Sequence, residues 1–243
     1  GVEYIAKGGG GGGTEANPAA SGSSIGRAGN TGGSGGGGSR SEQLDSETYQ
    51  GGASLKNDYA NWLSYGNSGG DGNIGEMGGG GGGAGSVGSD AIYVSDPINN
   101  PEYSRAGNGG AGKDFIVNFG SNVGDNGWFG GGGGGSTSIV AKIIDGSTYV
   151  FFNEDASNIA YGNSGSNLYG GGGSGSFEYI NLKATDGKPN TGGGGGGCSI
   201  FSLDNPPGDG GSGIVIIKIA KSFSSLISLE SLTVPSITSS LSS

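Results

Sequence analysis

The chain has 243 residues, of which 63 are glycine, with 31% hydrophobic residues and a formal net charge of -10. It holds no histidine and one cysteine, Cys198, which excludes a Ser-His-Asp constellation, histidine-based metal sites, a zinc cluster and any disulfide within the chain. An isoelectric point near 4.3 argues against nucleic acid or an anionic membrane surface as partner, and no apolar stretch approaches the roughly 20 residues of a bilayer-spanning helix.

In chain order, Val2 to Ala6 reads as a strand that leads into the first run of six glycines, Gly8 to Gly13. A four-glycine run follows, Gly35 to Gly38. The polar stretch from Ser39 to Trp62 comes next, with a short helical pattern over Glu42 to Tyr49. Six glycines recur at Gly78 to Gly83 and again at Gly130 to Gly135, with strand-like segments at Ala91–Val94 and Phe115–Phe119 between them. Ile139–Ile144 and Tyr149–Phe152 read as a hairpin, because the intervening Asp145-Gly146 accepts the positive φ of a tight turn. Gly170 to Gly173 and the last six-glycine run, Gly192 to Gly197, complete the set, with strand-like Phe177–Leu182, Ser199–Leu203 and Ile214–Ile219 around them. A partial repeat, Tyr65-Gly66-Asn67-Ser68-Gly69 and Tyr161-Gly162-Asn163-Ser164-Gly165, precedes two of the runs. The uneven spacing of the runs excludes a regular solenoid.

Six consecutive glycines hold neither an α-helix, where each costs about 1 kcal/mol against alanine, nor an ordinary strand, which needs side chains to pack. They can adopt a threefold extended helix of about 3.1 Å per residue, without internal hydrogen bonds. Every N–H and C=O then needs a neighbour, and only glycine lets backbones approach that closely. Matched six-residue runs suit a bundle of such helices better than they suit linkers. The fold expected is therefore mainly irregular and β: a bundle of polyglycine II helices flanked by short β-strands and hairpins, with almost no α-helix. The boundary runs Gly8–Gly13, Gly35–Gly38, Gly78–Gly83, Gly130–Gly135, Gly170–Gly173 and Gly192–Gly197 are its structural elements.

Val2-Glu3-Tyr4-Ile5-Ala6 running into Gly8, and the close Gly210-Gly211-Ser212-Gly213-Ile214-Val215-Ile216-Ile217-Lys218-Ile219, resemble the two ends of the glycine-rich domain family. That family is found in phage and virus structural proteins and in surface proteins, and the chain is also similar to the glycine-rich region of anaplastic lymphoma kinase. The resemblance covers residues 1–219 and departs at Lys218-Ile219. It implies a rigid polyglycine II domain with loops displayed at its ends, and no catalytic activity.

The chain divides into a glycine-rich domain, residues 1–220, and a Ser/Leu-rich tail, residues 221–243, which holds no glycine. Phe223, Leu226, Leu229, Leu232, Val234, Ile237 and Leu241 make that tail a candidate assembly arm for strand addition to a neighbour. Matches to G-x-G-x-x-G follow from composition and lack the strand-to-helix context that gives the motif meaning. No cofactor, metal or catalytic residue is indicated. Aromatic residues in or beside the inserts either cap the glycine runs or form a binding rim, and Tyr49, Tyr59, Trp62, Tyr93, Tyr103 and Trp128 are the candidates for a rim. The expected function is a non-enzymatic building block of an extracellular or virion-surface fibre, partnered by itself or by other structural subunits. The alternative is an adhesin module that recognises a host protein or glycan through aromatic loops.

Overall fold

The computed structural model describes residues 7–13, 28–39, 49–55, 63–73, 77–92, 105–136, 141–144, 147–150, 170–176, 182–198 and 206–218. Regular secondary structure is sparse among them. A two-stranded antiparallel sheet pairs β1 (Lys113–Asp114) with β2 (Trp128–Phe129), and α1 (Ile116–Phe119) lies between these strands in sequence. A second antiparallel pair joins β3 (Ala141–Ile144) to β4 (Ser147–Val150), with Ile144 opposite Ser147. The hairpin expected around Asp145-Gly146 is therefore present, with Ser147 and Thr148 in the strand rather than the turn.

Two expected strands are corrected. Phe115–Phe119 is a strand by composition, yet Ile116–Phe119 form one helical turn. The Asp114 carboxylate accepts the Ile116 N–H at 2.7 Å, and Gly120, at φ 83°, takes a conformation that ends the turn. These two flanking residues override the β preference of Ile116 and Val117. The second correction is Ile214–Ile217, which joins no β-ladder. Val2–Ala6, Ser199–Leu203 and, apart from Tyr49, the helical pattern Glu42–Tyr49 lie outside the described residues.

The glycine segments are joined laterally by backbone hydrogen bonds with a period of three. In the run Gly78–Gly83, the amides of Gly78, Gly81 and then Ala84 donate to the carbonyls of Ser136, Gly133 and Gly130 at 3.0, 2.8 and 2.7 Å. Gly79 and Gly82 donate to Gly38 and Gly35 at 2.9 and 2.8 Å. Gly80 and Gly83 donate to Ser89 and Ser86 at 3.0 and 2.9 Å. A β-strand alternates with period two; here each residue in turn faces one of three neighbours. The run Gly130–Gly135 repeats the pattern, with Gly131 and Gly134 donating to Gly170 and Gly173, and Gly132 and Gly135 to Gly110 and Gly107. Gly194 and Gly197 donate to Gly131 and Gly134. Gly10 and Gly13 donate to Ser34 and Gly37. The runs Gly8–Gly13, Gly35–Gly38, Gly78–Gly83, Gly130–Gly135 and Gly192–Gly197 thus neighbour one another in chain order.

These registers give the array two ends. Lys7, Ser34, Leu55, Tyr65, Ala84, Gly130, Thr191 and Gly213 fall at one, called here the Gly130 end. Gly38, Tyr49, Met77, Ala91, Ala106 and Ser136 fall at the other, the Ser136 end. The buried hydrophobic side chains of the described residues, Tyr49, Met77, Ala91 and Ala106, all belong to the Ser136 end. The middle is packed backbone on backbone. One net hydrogen bond contributes about 0.5–1.5 kcal/mol, whereas ordering one residue costs about 1–2 kcal/mol. A single glycine segment therefore does not hold its conformation alone, and the array forms cooperatively.

Packing also repeats every three residues. A Cβ on Gly79, Gly80, Gly82 or Gly83 would fall on a neighbouring carbonyl, whereas on Gly78 and Gly81 the nearest atoms lie at 3.5 Å. Substituting adjacent residues of one run therefore gives opposite results. Gly81→Ala is expected to be neutral or to stabilise by about 0.4–1 kcal/mol through the unfolded chain. Gly80→Ala, driven into Asn108 C=O, is expected to cost about 1–3 kcal/mol. Denaturant titration of the two variants checks this; equal midpoints would mean that the run is not packed as described.

Candidate functional site

The most built-up region outside the glycine array is the excursion from Lys113 to Phe129 at the Gly130 end. Phe115, between β1 and α1, is its hub. Its ring meets Tyr65 edge-on at 5.7 Å, Phe129 at 6.1 Å and Phe119 at 6.2 Å. The Lys113 ammonium stands 5.1 Å above the Tyr65 ring, within cation–π range. These rings, with Ala84, Ile214 and Ile216, line a cleft of about 370 Å³. On its outer side the Lys218 ammonium donates to the Asn118 carbonyl at 3.0 Å, which ties the segment after Gly213 to the end of α1.

An ion pair between buried Asp125 and half-exposed Lys188 holds the excursion in place. Asp125 is only 4% exposed. One carboxylate oxygen accepts the amides of Gly170 and Gly171 at 3.0 and 3.2 Å, and the other accepts the Lys188 ammonium at 2.6 Å. Gly170 and Gly171, at φ 130° and 79°, lie in the region that favours glycine, which lets both amides point at one oxygen. Burial opposes ionisation of Asp125, but the Lys188 hydrogen bond, the Gly170 amide, the Lys188 charge and the Gly171 amide together hold its carboxyl below the usual range. The backbone of Asp125 also exchanges hydrogen bonds with Trp128 at 3.0 and 3.1 Å.

Of the six rim residues expected from the sequence, Tyr49 and Trp128 are among the described residues, and these two lie at opposite ends. Tyr49 is buried, 6% exposed, at the Ser136 end, which corrects its placement on a binding loop. Its carbonyl accepts the Gly72 amide, so it is part of the packing. Trp128 is half-buried in β2 at the opposite end. Tyr59, Trp62, Tyr93 and Tyr103, and the tail residues Phe223 to Leu241, lie outside the described residues. The insert after Ser39 returns at Tyr49, and the insert after Ile92 returns at Arg105, all at the Ser136 end; the one between Leu55 and Leu63 belongs to the Gly130 end. Cys198 is half-buried, and burial pushes its thiol up, away from a reactive thiolate. The Asp125–Lys188 pair has no sequence signal, since its members stand 63 positions apart.

Among the described residues no helix is long and apolar enough to cross a membrane. In comparison with known proteins, the chain matches no family model, no curated protein and no solved structure.

The Asp125 arrangement has a pH signature. A carboxylate whose folded pKa is depressed contributes stability above its unfolded value, near 3.8, and that contribution is lost as pH falls through the folded value. Asp125→Ala, which strands two buried amides, is expected to cost about 1–3 kcal/mol at neutral pH. The gap between wild type and Asp125→Asn is expected to shrink as pH drops below about 4. Thermal melts from pH 7 to pH 3 test both; a gap independent of pH would remove the ion pair from the account.

Proposed function

We propose that the chain is a non-enzymatic structural building block, in which the glycine runs are polyglycine II helices packed as a rigid bundle and the C-terminal tail grips a neighbouring copy. The observation that carries the reading is the rotation of three in the run Gly78–Gly83, where successive amides serve three different neighbours and every third residue returns to the first. A threefold extended helix has this periodicity, and it has no internal hydrogen bonds. Steric occupancy supports the same reading, because the two roomy positions of that run, Gly78 and Gly81, are three apart. A run of six residues then spans about 19 Å.

Such a bundle has few side chains with which to build a catalytic cleft, and its stiffness comes from many small backbone bonds made together. This suits a load-bearing or spacing element of an extracellular or virion surface, in line with the resemblance of the chain's two ends to glycine-rich domains of structural proteins. The placement of Tyr49 and Trp128 at opposite ends weighs against a single adhesive rim that holds both.

Deleting residues 222–243 is expected to abolish oligomers while leaving the melting transition of the domain within a few degrees of the full chain. Light scattering and electron microscopy of the two forms decide it. Oligomers that persist without the tail would reject the assembly role, and a monomeric full-length chain would do the same.

A further inference from the structure

The two ends of the array differ in where their apolar groups sit. Buried apolar side chains lie at the Ser136 end, whereas the exposed large ones among the described residues, including Leu63, Val117, Val215 and Ile217 at 81, 94, 87 and 80% exposure, lie at the Gly130 end. Glycine walls offer no side chain to cover them. Beside the aromatic cleft runs Ile214–Ile217, four β-branched residues whose backbone amides and carbonyls make no hydrogen bond to another described residue. An unpaired strand edge of that composition is a template for strand addition. A cleft with one such wall fits a peptide segment better than a compact small molecule.

We infer that this edge and cleft receive the tail, residues 222–243, of a second copy, and that two copies exchange tails reciprocally. The inference rests on the tail-mediated assembly proposed above. The occupant follows from where the chain goes. After Lys218, anchored on Asn118 at this same end, the sequence continues with Phe223, Leu226, Leu229, Leu232 and Val234, an apolar supply matched to an apolar edge. Residues 219–243 contain no glycine, asparagine or aspartate, the residues that accept the positive φ of a two-residue hairpin turn. The segment is therefore poorly made to fold back as a hairpin onto its own Ile214–Ile217. Socket and tail leave from the same end, so a tail that reaches a partner's socket brings the partner's tail to its own. A contact made twice by the same patch is two-fold and closed.

The test uses full-length chains with Cys198→Ser. One carries Ile216→Cys, the other Val234→Cys and a mass tag, and the two are mixed and oxidised. A covalent dimer between the two different chains is expected, and a chain carrying both substitutions is expected to stop at a doubly linked dimer. Crosslinking only within one chain would overturn the inference in favour of the chain's own tail, and a ladder beyond dimers would overturn the reciprocity. No crosslink, in a chain whose oligomers still vanish on tail deletion, would reject this socket while leaving the assembly reading intact. Amide exchange of the unsubstituted chain gives an independent readout. Protection at residues 214–217 is expected at high concentration and is expected to be lost on dilution to the monomer; exchange that is fast at every concentration would equally reject the socket.

Discussion

The constraint on which the rest depends is the missing Cβ. In the run Gly78–Gly83, four of six positions place the space of a Cβ on a neighbour's carbonyl group. The backbones come close enough to bond laterally only because nothing projects between them. Each amide then finds its acceptor on another segment, and the direction rotates by one neighbour per residue. The run Gly8–Gly13 shows the limit of this packing: around Gly8, Gly9 and Gly12 a Cβ would meet no described atom closer than 3.9 Å. Glycine is thus demanded by position within each run, not by composition as a whole.

A body built this way has an unusual distribution of chemistry. Between its ends the array is mainly backbone with polar side chains such as Asn108, Thr185 and Asp186, and the large apolar side chains of the described residues lie at the two ends. At the Ser136 end, Tyr49, Met77, Ala91 and Ala106 are sealed. At the Gly130 end the aromatic cluster is only partly covered, and Asp125 is the group that joins it to the array through Gly170, Gly171 and Lys188. That joint relies on geometry that a Cβ would spoil, since a side chain on Gly171 would run into Thr191. The same rule that shapes the middle therefore also fixes the functional end in place.

Much of the array was legible in the chain. Equal run lengths announce elements of equal length, and Asp145-Gly146 announces a turn between two β-rich segments. Other features depended on contacts that sequence spacing does not encode. Phe115–Phe119 has the composition of a strand and becomes a helical turn because Asp114 and Gly120 bracket it. Ile214–Ile217 has the composition of a strand and has no strand partner among the described residues. Tyr49 looks like an insert aromatic, but the register of Gly72 with its carbonyl draws it into the packing. The pairing of Asp125 with Lys188 follows only once Gly170 is laid beside Gly131, a step that local pattern does not reach.

In the proposed tail exchange, the direction of assembly would follow from the placement of the ends rather than from the strength of any one contact. A tail that leaves beside its own socket makes a closed pair, because the two-fold operation uses up both sockets. A fibre built from such pairs requires a second contact of a different kind. The Ser136 end is where the chain leaves and re-enters at Ser39 and Tyr49 and again at Ile92 and Arg105. In the tail exchange proposed above, copies would join at the Gly130 end, which leaves the Ser136 end, with its inserts after Ser39 and Ile92, for that second contact.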